Sequence, residues 1–307
     1  MPDKRRIQTK DEIKSDFLNH SLFFYKYYKK YKNMGILKNI LEKLFGETVK
    51  KEEKIEIYDI DVEIVTFTDN NGKYHERGYK PINTPSLRKL LERMIEVRGD
   101  EGDFNDIDTS EIESMESLFE GNETFNGNIT GWKFPKVKYM GFMFCNATSF
   151  NQPIGNWKFP EVKHMSCMFK GATSFNQKIG DWEFPKVENM SNMFCDATSF
   201  NQDISDWKFP KVKYMSFMFC NATSFNQPIG NWEFPEVQHM RYMFSGATSF
   251  NQPIGKWKFP KVRYMSFMFC NATSFNQDIS NWKIYEVDDF FMFKNCPIQD
   301  EFKPNKK

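Results

Sequence analysis

From residue 125 onward the large apolar residues occupy fixed slots that recur every 25 residues. Phe-Asn stands at Phe125-Asn126, Phe150-Asn151, Phe175-Asn176, Phe200-Asn201, Phe225-Asn226, Phe250-Asn251 and Phe275-Asn276. Trp132, Trp157, Trp182, Trp207, Trp232, Trp257 and Trp282 keep the same step, as do Met140, Met165, Met190, Met215, Met240 and Met265. Self-similarity at such a period is the signature of a repeat architecture. Within the unit 150–174, Trp157 and Phe159 lie two apart, which predicts one face of a short strand. Pro160 suits the first turn of a helix, and Val162, Met165, Met168, Phe169 and Ala172 predict that helix's apolar face. Gly171, or Asn146, Asp196 and Asn221 in the same slot, would end the helix. Each unit is therefore expected to be a strand, a helix and a return turn. One unit cannot bury its own Trp, Phe and Met, but a stack of units can.

The asparagines of the turn, Asn126, Asn151, Asn176, Asn201, Asn226, Asn251 and Asn276, are expected to form a structural ladder. An amide side chain offers both donors and an acceptor to the turn backbone above and below it. A longer period overlies the first: the segment beginning at Lys138 returns almost unchanged at Lys213, so a block of three units has been duplicated. The ends differ, as caps must. Phe104, Ile107, Ile112, Met115, Leu118 and Phe119 fill a degenerate first unit, while Phe290 and Phe293 are expected in the two Met slots of the last. About eight units result, over residues 101–298, followed by a polar tail at 299–307.

The first hundred residues carry no such period. Residues 11–34 and 36–49 read as amphipathic helices, and residues 54–60 alternate like a strand. Residues 62–68 and 74–80 alternate around Asn71-Gly72, a type I′ hairpin signal. Thr84-Pro85-Ser86 then opens a helix through Leu87, Leu90, Leu91, Met94 and Ile95. The expected organisation is a small α+β domain over 1–100 ahead of the repeats.

Composition adds few constraints. The 307 residues include 33 Phe, 17 Met and 7 Trp, which demand a core. A net charge of +1 gives no reason to expect nucleic acid or a membrane surface as the partner of the whole chain. No apolar run is long enough to span a bilayer, and no apolar segment of a signal peptide follows the basic start, so an intracellular or virion setting is expected. The six cysteines form no CxxC pair and are expected as reduced thiols, and the Asn-Ala-Thr sequons as bare asparagines.

The slots Val-x-x-Met-x-x-Met-Phe-x-x-Ala-x-x-Phe-Asn-x-x-Ile-x-x-Trp, from about Phe104 to Pro297, resemble the BspA-like leucine-rich repeats. That family occurs in surface proteins of bacteria, notably mycoplasmas, and in protists and large DNA viruses. The resemblance implies an α/β repeat fold, a right-handed leucine-rich-repeat-like solenoid, that binds proteins or attaches to cells and has no catalytic residues. The chain departs from the family in carrying Lys/Glu-Phe-Pro after Trp, where Asp-Val-Ser is common, and in showing no secretion or lipoprotein signal.

No phosphate-binding loop, dinucleotide fingerprint or nucleophile elbow is present, and His20, His75, His164 and His239 do not stand at metal-ligand spacings. No enzyme activity, cofactor or metal is expected. Cys145, Cys195, Cys220 and Cys270 share a slot with Lys170, Ser245 and Glu120 and are expected to be partly exposed, with Cys195 and Cys220 as neighbours. The best candidate surface is the concave strand face, formed by the residues flanking each Trp: Asn156, Lys158, Asp181, Glu183, Asp206, Lys208, Asn231, Glu233, Lys256, Lys258, Asn281 and Lys283. The alternating signs of Lys158, Glu183, Lys208, Glu233 and Lys258 give a competing account, a self-neutralising ladder of cross-strand pairs. The leading expectation is a non-enzymatic protein-interaction or adaptor protein with an unidentified protein partner. Two alternatives stay open: a structural component of a virion or other assembly, and nucleic-acid binding by the interleaved tyrosines and lysines of residues 25–32, against which a solvated helix face is preferred.

Overall fold

A computed structural model describes Ile55, Ile57 and residues 59–304. The helices expected over 11–34 and 36–49, and the basic aromatic run at 25–32, lie outside the described residues. Strands β1 (Val62–Thr68) and β2 (Tyr74–Pro81) form an antiparallel hairpin with an irregularity between Val65 and Phe67. The helix α1 (Thr84–Arg98) follows. Asn83 caps it reciprocally with Ser86, Pro85 occupies the first turn, and Gly99 at φ 77° ends it by donating to the Ile95 carbonyl. These are the elements that the alternation and capping residues predict. The strand expected at 54–60 is absent among the described residues; Ile60 instead donates to the Ile57 carbonyl in a turn, and Ile55 and Ile60 are buried.

The hairpin loop is wider than a two-residue type I′ turn. Buried Asp69 organises it: its carboxylate accepts from the Asn71 and Lys73 amides and from His75 Nε2, at 2.9, 3.0 and 3.0 Å. The boundary expected near residue 100 falls inside one compact unit that begins at Ile55. Tyr79 on β2 exchanges backbone hydrogen bonds with Asp106 and Asp108, and Leu87, Leu90, Leu91 and Met94 of α1 bury into the same core as Phe104 and Ile107. Apolar stripes that need each other's cover cannot act as separate domains.

The repeats stack in strict register. Parallel bridges join Ser114, Tyr139, His164, Asn189, Tyr214, His239, Tyr264 and Asp288 in turn, which makes eight rungs. The expected strand and helix in each unit are both absent: α1 is the only α-helix, and β1 and β2 the only strands, among the described residues. The interunit ladder runs instead through the segment expected to be helical. Met165, Cys167, Phe169 and Gly171 donate to the carbonyls of Asn189, Ser191, Met193 and Cys195 of the next unit. Between these bonds Met168, Lys170, Ala172 and Phe175 each donate to the carbonyl three residues back. The chain is thus a series of three-residue turns, and two residues per unit turn left-handed, such as Cys167 at φ 57° and Gly171 at φ 68°. The apolar spacing carries the reason. Val162, Met165 and Met168, then Phe169, Ala172 and Phe175, recur by strict threes, whereas an α-helix needs threes and fours to keep one face.

Columns of rings fill the interior. Trp157 to Trp282 stack at 6.0–6.5 Å between ring centroids, each meeting a Phe of the preceding unit edge-on, as Phe159 meets Trp182 at 4.8 Å. Offset and edge-on contacts are the favourable geometries for aromatic quadrupoles. From Trp182 to Trp282 each indole Nε1 donates to an Ile carbonyl 28 residues earlier, at 3.0–3.1 Å. Along the turn column, each Asn amide N–H from Asn151 to Asn276 donates to the Oδ1 of the Asn one unit earlier, at 2.9–3.0 Å. The last unit is one residue shorter, with Asp288 bridging Tyr264, so Met292 and Phe293 keep the Met268 and Phe269 slots. Phe290 is therefore not in a Met slot but exposed. The expected polar tail begins as a cap: Ile298 is buried, and a 3-10 turn at Asp300–Phe302 offers the Phe302 carbonyl to Ile279 N–H.

Candidate functional site

The twelve residues flanking the tryptophans are all exposed, but the six before each Trp sit in turns and the six after it in irregular segments, not on a strand face. Asn156 is already engaged: its amide donates to Asn71 Oδ1 at 2.6 Å, and its carbonyl accepts from Asn70 on the hairpin loop. The cross-strand charge ladder does not form. Lys158 Nζ reaches the Asp181 carbonyl at 3.5 Å, and no ion pair joins Lys158, Glu183, Lys208, Glu233 and Lys258 among the described residues. Without a pleated ladder at the Trp segment, nothing holds these side chains opposite one another. Ion pairs one unit apart appear in other slots: Glu161 with Lys186 at 2.6 Å, Glu188 with Lys213 at 2.9 Å and Glu236 with Lys261 at 2.6 Å. In each of the first two, a hydrogen bond from the lysine holds the glutamate below its usual pKa. Exposed pairs of this kind contribute little to stability, which leaves them as surface register marks.

The side chains that the ladder itself presents form a different surface. Its rung residues are Tyr139, His164, Asn189, Tyr214, His239 and Tyr264. Tyr214, His239 and Tyr264 pack ring to ring at 5.0 and 4.5 Å, and Arg241 lies 4.5 Å over Tyr264 while pairing with Asp288. Alongside runs the first left-handed slot, in which Phe217, Tyr242 and Phe267 stack at 4.6 and 4.7 Å. The column ends against Phe290 and Phe291, which are 62% and 51% exposed. In the preceding units the same slot holds Phe142, Cys167 and Asn192, so the continuous aromatic stripe belongs to the later half of the stack. Large non-glycine residues at positive φ are uncommon, and here they recur in one outward slot. Sequence reasoning passed over this stripe because it assigned the segment to a helix. The available signal was the outward slot three residues after each Tyr or His, which is aromatic in four units: 142, 217, 242 and 267.

Charge on the stripe is set locally. Burial, then the Arg241 guanidinium, lowers the His239 pKa below its ordinary value, and Ser266 and Arg241 hold the Asp288 carboxyl down. The cysteine slot differs from expectation: Cys145, Cys195, Cys220 and Cys270 are buried. A small thiol fits beneath neighbours that a lysine stem must pass. Cys195 is kept protonated by its contact with Cys220 and by burial, the same contact lowers the Cys220 pKa, and burial pushes the Cys167 thiol up to about 11. Thiols held protonated are poor nucleophiles and poor metal ligands. No group of three metal-ligating side chains occurs among the described residues, nor any helix long and apolar enough to cross a membrane. A shallow pocket of ≈ 210 Å³ lies among Phe67, Thr68, Ile107, Asp108 and Lys133, smaller than ligand sites usually are.

A family model described as "Mycoplasma protein of unknown function, DUF285" matches residues 87–207 and 195–304. No curated protein and no solved structure matches the chain.

Proposed function

The chain belongs to the family described as Mycoplasma protein of unknown function, DUF285, and from that premise we propose that it is a non-enzymatic protein-interaction module, a BspA-like leucine-rich-repeat solenoid that grips a protein partner along its ladder face. The observation that carries this reading is the aromatic stripe of Tyr214, His239, Tyr264, Phe217, Tyr242 and Phe267 with Arg241. Tyrosine and arginine are the residue types on which binding energy concentrates at interfaces, because they bury much area and keep a polar handle. Rings stacked on their neighbours are already ordered, so less side-chain entropy is lost on binding. The residues flanking the tryptophans offer isolated charges on turns and irregular segments and no such anchors.

The test compares two variants of the full chain in affinity capture from its source cells. Tyr214→Ala with Tyr264→Ala removes two anchors, and Lys208→Ala with Lys258→Ala is the control. Loss of the captured partner by roughly tenfold or more in the first variant alone supports the stripe. Loss in the second alone returns the site to the turn face, and retention by both removes this reading.

A further inference from the structure

Over the four donor slots of each unit the interunit backbone bonds point forward, while just before them residues such as Lys163, Glu188 and Lys213 donate back to the preceding unit. Met165, Cys167, Phe169 and Gly171 donate forward, and so do Met265, Phe267, Phe269 and Asn271, to the carbonyls of Asp288, Phe290, Met292 and Lys294. A stack built so must end in unmet carbonyls on one side and unmet N–H groups on the other. At the carbonyl end two of the four acceptor slots are met within the chain: Thr84 Oγ1 donates to the Ser114 carbonyl at 2.7 Å, and the Arg88 guanidinium donates to that of Glu116 and to the neighbouring Ser117 carbonyl. At the other end the N–H groups of Phe291, Phe293 and Asn295 stand in the donor positions of the last unit and have no acceptor among the described residues. The 3-10 cap does not reach them; it serves Ile279 and Asn276, on the turn side of the unit.

We infer that this donor edge is a second binding site, which takes a segment of a partner polypeptide, turned as a repeat unit is, as one more rung of the ladder. Three arguments fix the occupant. The donors stand at alternate residues, separated by residues that bond three back along the chain, so they call for a row of carbonyls rather than a single anion. The last unit already holds the template conformation, with Phe291 at φ 51° and Asn295 at φ 56° in the two left-handed slots. Phe290 and Phe291 lie exposed beside it, with Lys294 5.6 Å from the Phe291 ring, ready to cover apolar side chains of the added segment. A second copy cannot complete the ladder head to tail, because two of its four acceptors, the Ser114 and Glu116 carbonyls, are taken by Thr84 and Arg88. Unpaired edges are the usual templates for strand addition, with main-chain bonds giving affinity and side-chain pockets giving choice. This site holds whether or not the aromatic stripe binds.

The test uses the full chain and a synthetic peptide of residues 236–246, which carries the carbonyls of His239, Arg241, Met243 and Ser245 that serve as acceptors inside the stack. Amide exchange is followed by NMR, with and without the peptide. The expected result is saturable binding that slows exchange at Phe291, Phe293 and Asn295 by about tenfold or more and leaves the Ser114 end unchanged. Phe291→Asp, at a half-exposed ring, should abolish it, while Tyr214→Ala should not. Equal protection by a scrambled peptide, protection elsewhere, or peptide-independent protection accompanied by a doubling of sedimented mass would each overturn the inference, the last in favour of self-association.

Discussion

The two ends of the stack solve one problem in opposite ways. At the start, α1 is held by its caps, buries Leu87, Leu90, Leu91 and Met94, and turns Thr84 and Arg88 onto the carbonyls of the first rung. At the finish, a short cap covers Ile279 and the turn column but leaves the ladder donors and two phenylalanines uncovered. The forward bonds of the four donor slots make this asymmetry a chemical one: along them, acceptors stand at one end and donors at the other. The covered end is built for stability, and the uncovered one retains the edge that repeat proteins otherwise hide.

Equal truncations at the two ends should therefore differ widely. Leu90→Ala empties a fully buried site at the covered end and should cost about 2–5 kcal/mol in denaturant unfolding. Phe290→Ala removes a larger but exposed ring and should stay within about 0.5 kcal/mol. Similar losses at both ends would mean that the finish is as tightly held as the start. Next in size is Asp69→Asn, which weakens the loop that ties the hairpin to the stack and should cost about 1–3 kcal/mol at neutral pH. The bonds from His75, Lys73 and Asn71 hold the Asp69 carboxyl below 3.8 despite its burial. A depressed carboxylate stabilises the fold fully above its unfolded pKa and loses that contribution as pH falls through the folded value. The gap between the two proteins should therefore stay flat down to about pH 4 and close below it. Arg88→Met keeps the stem but removes the guanidinium from two carbonyls and should cost about 1 kcal/mol, with faster amide exchange confined to the first rungs.

The contrast between the ends also marks where sequence reading succeeds. The period, the number of units, the asparagine slot, the hairpin and α1 with its caps are visible as residue types at fixed offsets, because each answers a local demand. Asn83 and Ser86 cap a helix wherever they meet one, and Phe and Trp slots announce a shared core. The conformation inside the unit was misjudged at Val162–Ala172. There Gly171, Asn146 and Asp196 read as a helix end, whereas their slot is one of two left-handed reversals per unit. The second reversal is filled by Phe142, Cys167, Phe217, Tyr242 and Phe267, residue types with no preference for positive φ, so no propensity argument finds it. With that segment assigned to a helix, the ladder fell to the Trp segment, and the candidate surface was placed there rather than along the ladder. The direction of the hydrogen bonds, on which the asymmetry of the ends rests, has no trace in side-chain chemistry at all.

The smallest effect tests whether covering the first end disturbs the repeat itself. From Trp182 onward every indole N–H meets an Ile carbonyl, but Trp132 reaches the Phe104 carbonyl, and Trp157 is buried with no acceptor among the described residues. Trp157 follows Asn156, the residue that the hairpin loop engages from both its amide and its carbonyl. If docking the hairpin costs the stack that one bond, Trp→Phe should be cheaper there. Both substitutions remove the same ring area, so packing losses cancel, and the remainder is the hydrogen bond that only Trp182 makes. Trp182→Phe is expected to destabilise by about 1 kcal/mol more than Trp157→Phe in parallel denaturant titrations. Equal costs would mean that the Trp157 indole finds an acceptor in solution, water included, and that the period survives intact beneath the hairpin.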